Sequence, residues 1–458
     1  MTKAANKPPK LRAFALRPFH AAVRRFAAGT DSPSAFFADC LANIVELEPE
    51  IGAFVHRDEE SARKAAHDST ERWKAGKPLS LIDGMPVGIK DIVETIDMPT
   101  QMGSPLYAGW HSGRDAAAVA ALREAGAVIV GKTVTTEFAA THPAGTRNPW
   151  DLARTPGGSS SGSAAAVAAG MISAGLGTQV VGSIIRPASF CGCFGFKPSL
   201  GAINRGGSHD NLSQSCDGVL AASLEDAWNF CWAVAQRAGG DPGFPGLAGP
   251  EQMPQAKRPE TLAVLETAGW ALASDGAKAA LEAAVARLRA LRIAIIDRRT
   301  DARVAEIETA LIEARALTDR INTWESRWPL NTYHKKNPDG LSQTMLDRLA
   351  EAERMNINDY RSALAERARI RSLYATLAPA ADAVVTLSAI GAAPRGLLST
   401  GNPIFAAPGS LLGIPAVSLP LLLDDGLPLG LQLLGFEQED EKLIAIASWI
   451  RDWLQRKA

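Results

Sequence analysis

The feature that most constrains the fold is residues 155–201, a stretch unusually dense in glycine, serine and alanine. Gly157–Gly162 predicts a loop, and Ser163–Gly170 predicts a helix of small residues. Such a helix can lie very close to neighbouring backbone, because few of its side chains extend beyond Cβ. A glycine-rich loop that opens a helix also presents free N–H groups to an anion or a developing oxyanion. The pattern therefore predicts a tightly packed segment that carries chemistry, rather than a flexible linker.

Strand-like and helix-like segments alternate on both sides of this stretch. Met85–Ile89 and Ala127–Val130 are short apolar runs that predict buried strands, and Asp115–Ala125 between them predicts a helix. Gln179–Ile185 is predicted to be extended. Further strand-like runs occur towards the C-terminal end, at Ala383–Leu387, Ala416–Leu423 and Leu429–Leu434. The alternation indicates an α/β fold.

The chain is expected to form one large domain over residues 31–458, with a variable helical excursion at about 245–375. Glycine and proline cluster at 241–246, and residues 270–375 are charged and mostly helical in pattern. Residues 1–30 form a basic segment with no acidic residue. Its apolar residues follow an approximately helical spacing, which predicts a basic helix packed on the body: Phe14, Leu16, Phe19, Ala22 and Phe26.

Composition and charge exclude several partner classes. The 458 residues are 46% hydrophobic and 21% charged, as in soluble globular proteins, and the net charge of -1 favours neither nucleic acid nor an anionic membrane. The longest apolar run, Leu411–Leu423, is too short to span a bilayer. Five scattered cysteines without a secretory signal indicate a reducing compartment. We expect a cytoplasmic protein that acts on a small molecule, and a homodimer is left open.

Two motifs match catalytic patterns but fail on their context. Gly126–Thr133 fits the phosphate-loop pattern, yet its middle residues are Ala-Val-Ile-Val, which predict a strand and not a turn around phosphate. Gly158–Gly162 fits the nucleophile elbow of α/β-hydrolases, which requires a later acid and then a histidine. The last of the seven histidines is His334, in a charged helical stretch. Neither nucleotide binding nor a histidine-dependent triad is favoured.

Several ordered blocks together resemble the amidase signature family. The central blocks are Thr155–Gly170, Gly177–Gly192 and Gly195–Pro198, and the lysine block is Gly84–Asp91. Matches to the connecting and closing blocks are Gly131–Phe138, Asn148–Pro149, Thr400–Asn402, Gly413–Pro415 and Gly426–Gln432. The resemblance covers roughly residues 30–450 and is weakest at 245–375. It implies a large, twisted, mixed β-sheet covered by helices on both faces.

The resemblance also implies a catalytic triad. Ser183 corresponds to the nucleophile, Ser159 to a bridging serine that follows a cis peptide bond, and Lys90 to the base. The residues support this independently, because a serine hydroxyl needs a base and no suitable histidine is present. An amine serves if it is neutral, and burial lowers the pKa of a lysine. Lys90 ends an apolar strand, which suits such burial.

The residues around Ser183 depart from the family pattern. The resemblance implies an oxyanion hole of backbone N–H groups, here those of Val180, Val181, Gly182 and Ser183. Small residues are usual two places before the serine, so the β-branched Val181 predicts a stiffer strand and a narrower pocket. Gln179 replaces an acid common in many members.

Arg186 and Gly158 are the predicted substrate-binding residues. The resemblance to a branch that acts on dicarboxylic half-amides implies that Arg186 binds a substrate carboxylate. The alternative is that Arg186 pairs with a structural acid.

The predicted function is hydrolysis of amide, anilide or carbamate (urethane) bonds, with esters as a further class, through an acyl-enzyme on Ser183. No metal or organic cofactor is expected. The stretch with Trp324, Trp328 and Tyr333 either caps a hydrophobic pocket or belongs to the core. Two alternatives remain open: the amidase subunit of a tRNA-dependent amidotransferase, and a catalytically silent binding protein on the same scaffold.

Overall fold

The computed structural model describes residues 16–455, whose strands form one mixed sheet of eleven. In chain order the strands are β1 (Phe54–Arg57), β2 (Pro86–Lys90), β3 (Val128–Thr133), β4 (Ala174–Gln179), β5 (Phe194–Lys197), β6 (Cys216–Ala221), β7 (Thr261–Val264), β8 (Ala294–Ile296), β9 (Ala383–Leu387), β10 (Ala416–Asp424) and β11 (Leu427–Leu434). Across the sheet the order is β1-β3-β2-β4-β6-β5-β10-β11-β9-β7-β8.

Helices flank this sheet. They are α1 (His20–Ala27), α2 (Pro33–Ile51), α3 (Glu59–Lys74), α4 (Ala117–Glu124), α5 (Ser161–Ala168), α6 (Ile185–Cys191), α7 (Leu224–Ala238), α8 (Asp275–Ala290), α9 (Ala302–Leu311), α10 (Ala314–Lys336), α11 (Gln343–Arg354), α12 (Ile357–Ala375), α13 (Ala407–Leu412) and α14 (Asp440–Gln455). The predicted α/β class and mixed sheet are confirmed.

The strands that carry the predicted site run in parallel. β2 pairs in parallel with β3 on one side and β4 on the other, whereas β4 pairs antiparallel with β6. The carboxyl ends of parallel strands meet at one edge of a sheet, so Lys90, the last residue of β2, lies near the end of β4. The loops that follow these strands therefore determine what surrounds the lysine.

The small-residue helix α5 packs directly on backbone, as its composition predicts. A Cβ at Gly162 would collide with the Ala53 carbonyl oxygen and the Val134 nitrogen. Every residue of α5 is buried. Glycine at this position lets α5 pack against the end of β3. This contact fixes the position of residues 157–160, the serine loop before α5, relative to the sheet.

The prediction of an extended Gln179–Ile185 is wrong beyond its first residue. β4 ends at Gln179, residues 180–184 form a turn, and α6 begins at Ile185. The Gln179 side chain causes the change of direction, because its Oε1 accepts hydrogen bonds from the N–H groups of Ile184 and Ile185 at 2.8 and 3.0 Å. A side chain that satisfies the first N–H groups of a helix stabilises the helix start.

The segment predicted as a helical excursion also contributes to the sheet. Within 245–375, β7 and β8 pair in parallel with each other, and β7 also pairs in parallel with β9. These strands have four and three residues, too short for a clear alternating pattern. The helical part is α8–α12.

The N-terminal basic segment is helical over His20–Ala27, with Phe19, Ala22 and Phe26 buried as predicted. Phe14 lies outside the described residues. All five cysteines are buried and unpaired. Within residues 16–455 there is no helix long and apolar enough to cross a membrane.

Candidate active site

Lys90 is fully buried and held by hydroxyl groups. Its Nζ lies 2.7 Å from Ser159 Oγ and 2.7 Å from Thr178 Oγ1, and 3.4 Å from the Thr178 carbonyl oxygen. Ser159 follows a cis peptide bond after Gly158, as the resemblance implied. The structure therefore brings two of the three predicted catalytic residues into direct contact.

Burial lowers the pKa of Lys90 to about 8, because desolvation disfavours the ammonium form. The carboxyl groups of Asp210 and Asp217 oppose this shift. A lysine in such a site is neutral in a large fraction of molecules near pH 8, which is what a general base requires.

Ser183 lies in the turn between β4 and α6 and is 6% exposed. Its hydroxyl forms no hydrogen bond with any residue that the structure describes. The backbone N–H groups of residues 180–183 likewise donate to no acceptor among residues 16–455. Four consecutive N–H groups beside this hydroxyl are therefore available to donate to a bound group.

The turn that carries these N–H groups is stabilised by Ser410 of α13. Ser410 Oγ donates to the Val181 carbonyl oxygen at 3.0 Å and accepts from Gln179 Nε2 at 3.1 Å. The carbonyl of Val181 is thus occupied, whereas its N–H remains free. The side chains of Val180 and Val181 are half-buried. Their β-branched bulk lies beside the donors without removing any of them.

Arg186 meets carbonyls and a hydroxyl, and forms no ion pair with a described acid. Its guanidinium donates to the carbonyl oxygens of Gly158 at 2.6 Å and Gly401 at 3.1 Å, and to Thr400 Oγ1 at 3.0 Å. Burial lowers the pKa of Arg186 to about 9, and Arg315 adds to this shift, so Arg186 is still a cation at neutral pH. The alternative of pairing with a structural acid is not seen. Arg186 instead joins the serine loop to the segment after Ser399.

We expect Arg186→Lys to loosen the serine loop. A lysine cannot reproduce three planar contacts, and charged hydrogen bonds are worth about 2 kcal/mol each. Thermal unfolding should show a lower Tm, and kcat/KM on any accepted amide should fall by about tenfold or more. Arg320→Lys is the matched control, because Arg320 is exposed on α10. Unchanged Tm and kcat/KM in Arg186→Lys would contradict the role of these contacts.

A small, largely apolar cavity of about 60 Å³, partly open to solvent, adjoins the site. It is lined by Ile92, Phe138, Ala139, Ala140, Val180, His209, Asp210, Asn211, Leu212, Ser326, Pro329, Leu330, Tyr333, Met345 and Arg348. The rings of Phe138 and Tyr333 stack at a centroid distance of 4.3 Å. Tyr333 thus lines the cavity, whereas Trp328 is 75% exposed. The cavity meets the site at Val180 and Asp210, but Ser159 and Ser183 do not line it.

A histidine does lie in the cavity wall, but it does not contact the serines. His209 Nε2 is 3.1 Å from Glu94 Oε1, and burial lowers the pKa of this imidazole. It forms no hydrogen bond with Ser159 or Ser183 in the described part of the chain. The phosphate-loop match is also structural: Lys132 is a buried residue of β3 that lies 3.4 Å from Asp91.

Sequence reasoning missed Thr178 and Asp210. Thr178 Oγ1 bridges Lys90 to the Asp210 carboxylate, which also accepts from Ser215 Oγ at 2.6 Å. The alternation of β4 could have indicated that Thr178 shares a face with the end of β2, but nothing in the sequence pattern places Asp210 there. No cluster of three or more histidine, cysteine or acidic side chains suited to a metal ion occurs within residues 16–455.

Known proteins of the same fold resemble this chain over most of its length. A crystal structure of an amidase superposes with a TM-score of 0.82 at 28% identity, covering 95% of this chain and 99% of that one. The native peptide amidase from Stenotrophomonas maltophilia gives 0.75 at 26% identity, covering 96% and 97%. A glutamyl-tRNA(Gln) amidotransferase subunit of Chloroflexus aggregans is 30% identical over 91% of this chain and 93% of its own length.

A buried lysine–serine contact lies at the carboxyl end of β2 in the mixed sheet, beside a turn of free N–H groups. The family model for amidases matches residues 36–444, and the chain therefore belongs to the amidase family, hydrolases that act on C–N bonds. The resemblance predicted from the sequence is confirmed.

Proposed function

We propose that the chain hydrolyses amide, anilide or carbamate bonds of small molecules through an acyl-enzyme on Ser183. The observation that carries this proposal is the 2.7 Å contact between Lys90 Nζ and Ser159 Oγ, in a buried site where the lysine is readily neutral. The free N–H groups at Val180–Ser183 support it further. Esters, which need the same attack on a carbonyl carbon, are a further substrate class.

The proposed reaction has two halves. Ser183 Oγ forms a bond to the carbonyl carbon while its proton passes to Ser159 and the Ser159 proton passes to Lys90 Nζ. N–H groups of the turn hold the oxyanion. The C–N bond then breaks, and the leaving nitrogen takes a proton back through Ser159. Water adds to the acyl carbon by the same proton route and restores Ser183. Active-site hydrogen bonds often tighten only when substrate is bound, so the unpaired Ser183 hydroxyl is consistent with this route.

The adjoining cavity supports an apolar substituent on one side of the scissile bond. Phe138, Leu330, Tyr333 and Met345 supply an apolar wall against which a phenyl ring or a short alkyl chain would pack. Small-molecule amides are therefore the proposed substrates, with no nucleic acid and no membrane as partner. Arg186 contributes by fixing Gly158, and we propose no contact of its guanidinium with substrate.

A substrate panel tests the proposal. The purified chain is incubated with matched phenylacetyl and acetyl anilides, amides and methyl esters, and with the matched benzyl and methyl urethanes. We expect release of the amine from at least one C–N substrate, with kcat/KM about tenfold higher for the phenylacetyl member because a buried ring gains hydrophobic contact. Equal rates for both acyl groups would contradict the assigned cavity. Absence of hydrolysis, together with no labelling of Ser183 by a fluorophosphonate, would favour the silent binding protein.

The amidotransferase subunit is the second candidate, because curated relatives bear that name, including the one 30% identical over 91% of this chain. Such a protein is expected to release ammonia from glutamine and to need a partner that receives it. Anilide hydrolysis by the isolated chain, without stimulation by such a partner, would disfavour this candidate. Glutamine hydrolysis that depends on added amidotransferase partner subunits would favour it.

A further inference from the structure

Asp210, one of the two acidic residues near Lys90, belongs to the loop between β5 and β6. Asp210 is 5% exposed, and neither of its oxygens forms an ion pair with a described residue. One oxygen accepts from Ser215 Oγ at 2.6 Å, and the other accepts from Thr178 Oγ1. A carboxylate can only accept hydrogen bonds, so the proton of Thr178 is committed to Asp210.

This commitment fixes the direction of the next hydrogen bond. Because Thr178 Oγ1 donates its only proton to Asp210, it can only accept a hydrogen bond from Lys90 Nζ, which lies 2.7 Å away. The Thr178 carbonyl oxygen, 3.4 Å from Nζ, is likewise an acceptor. A neutral amine has two N–H bonds and one lone pair. Its two N–H bonds therefore point at Thr178, and the lone pair points at Ser159 Oγ.

We propose that Asp210, acting through Thr178, is a positioning residue that aims the lone pair of Lys90 at Ser159. The inference rests on the proposed function, since it concerns the same proton route. It assigns to this chain a directed series in which Ser159 donates to Lys90, Lys90 donates to Thr178, and Thr178 donates to Asp210. After the proton transfer, the same carboxylate stabilises the ammonium through the threonine hydroxyl.

The charges that face Lys90 determine how this series responds to pH. Asp217, opposite Thr178 on β6, is buried with both carboxyl oxygens unpartnered, and desolvation raises its pKa to about 8. Below that pH Asp217 is mostly neutral. On β3, Lys132 pairs in register with Ile89 and not with Lys90, and its ammonium group lies 3.4 Å from Asp91. Arg205 donates to Asp241 at 2.6 Å.

The test compares the pH profile of kcat/KM in five variants. Thr178→Val removes the hydroxyl that accepts from Lys90, so the base is misaligned and the high-pH plateau of kcat/KM should fall by about 100-fold. Thr178→Ser keeps a hydroxyl and should have a plateau within about threefold of wild type. The acid limb of the profile is the fall of kcat/KM as Lys90 becomes protonated. Asp210→Asn should move this limb about one pH unit lower, because the Lys90 ammonium loses a nearby carboxylate. Thr386→Val is the matched control, since Thr386 is buried on β9 without a partner for its hydroxyl.

The outcomes separate a positioning role from a structural one. Damage to the fold would lower the plateau of Asp210→Asn without moving its acid limb, and an unmoved limb would overturn the proposal. So would a Thr178→Val plateau within twofold of wild type. Asp217→Asn should shift the limb less than Asp210→Asn.

A direct titration keeps the inference testable if no substrate is accepted. The Lys90 side chain is followed by lysine ¹³Cε NMR in the Ser183→Ala background, with Lys90→Met to assign the signal. Asp210→Asn should lower the midpoint of the Lys90 titration by about one pH unit. An unchanged midpoint overturns the inference, whereas failure of the proposed function is read separately, from the absence of hydrolysis and of Ser183 labelling.

Discussion

Replacing Ser183 with alanine should lower kcat/KM on every accepted amide by about 10⁴-fold or more. Removing the nucleophile of a serine hydrolase leaves only binding and oxyanion stabilisation, which account for a small part of the rate. Since the Ser183 hydroxyl has no described hydrogen-bond partner, its loss should leave the Tm almost unchanged. The measurement is a progress curve of amine release together with thermal unfolding of both proteins.

The matched control for this substitution is Ser161→Ala. Ser161 is also buried and close to the site, but its hydroxyl donates to the Val134 carbonyl oxygen at 3.3 Å. We expect hydrolysis within about threefold of wild type in this control. A Ser183→Ala protein that keeps most of its activity, or still reacts with a fluorophosphonate at the same rate, would show that another group is the nucleophile.

The second large effect is a pH dependence set by Lys90. The amine accepts a proton only when neutral, and its pKa is lowered to about 8 by burial. Below about pH 8 the ammonium form dominates, so kcat/KM should fall about tenfold for each pH unit as the solution is acidified. Above about pH 8 the neutral form dominates, and the profile should reach a plateau. An ordinary lysine would place the limb more than two pH units higher.

Substituting Lys90 by methionine should remove both the activity and this limb. Methionine fills much of the same buried volume, so the fold should survive, whereas kcat/KM should fall by about 10³-fold or more. The residual rate should be independent of pH between about 6 and 9. A residual profile that still bends near pH 8 would assign the limb to a different group, and Asp217→Asn would then be the variant to measure.

Much of the site follows from the sequence because the chemistry is attached to strong local patterns. Lys90 ends an apolar run, and a residue at the buried end of a central strand loses its water whatever its charge. The α5 helix depends on small residues that few other segments contain, whereas the cis bond before Ser159 was implied by the resemblance to the amidase signature family. These local signals do not require knowledge of the tertiary contacts.

The parts that escaped prediction depend on contacts distant in sequence. The chain turns after β4 because Gln179 Oε1 accepts hydrogen bonds from the N–H groups of Ile184 and Ile185. The β-branched residues of this segment predict a strand, so the sequence pattern does not indicate the turn. Asp210 lies in a loop 32 residues after Thr178, so only the folded sheet brings them together. The contacts of Arg186 with Gly158, Thr400 and Gly401 were not predicted, because the packing of the C-terminal segment sets them.

Because all five cysteines are buried, we expect the native protein to react slowly with thiol reagents. Burial raises the pKa of Cys40 and Cys193 to about 12, and the other three, Cys191, Cys216 and Cys231, are also shifted upwards by burial. Because the thiolate is the reactive form, alkylation has to wait for the chain to open. The five positions lie on α2, α6, β6, α7 and the turn before β5, so the labelling rate at each one reports how often that part of the molecule unfolds. The chain therefore carries its own set of reporters of local opening.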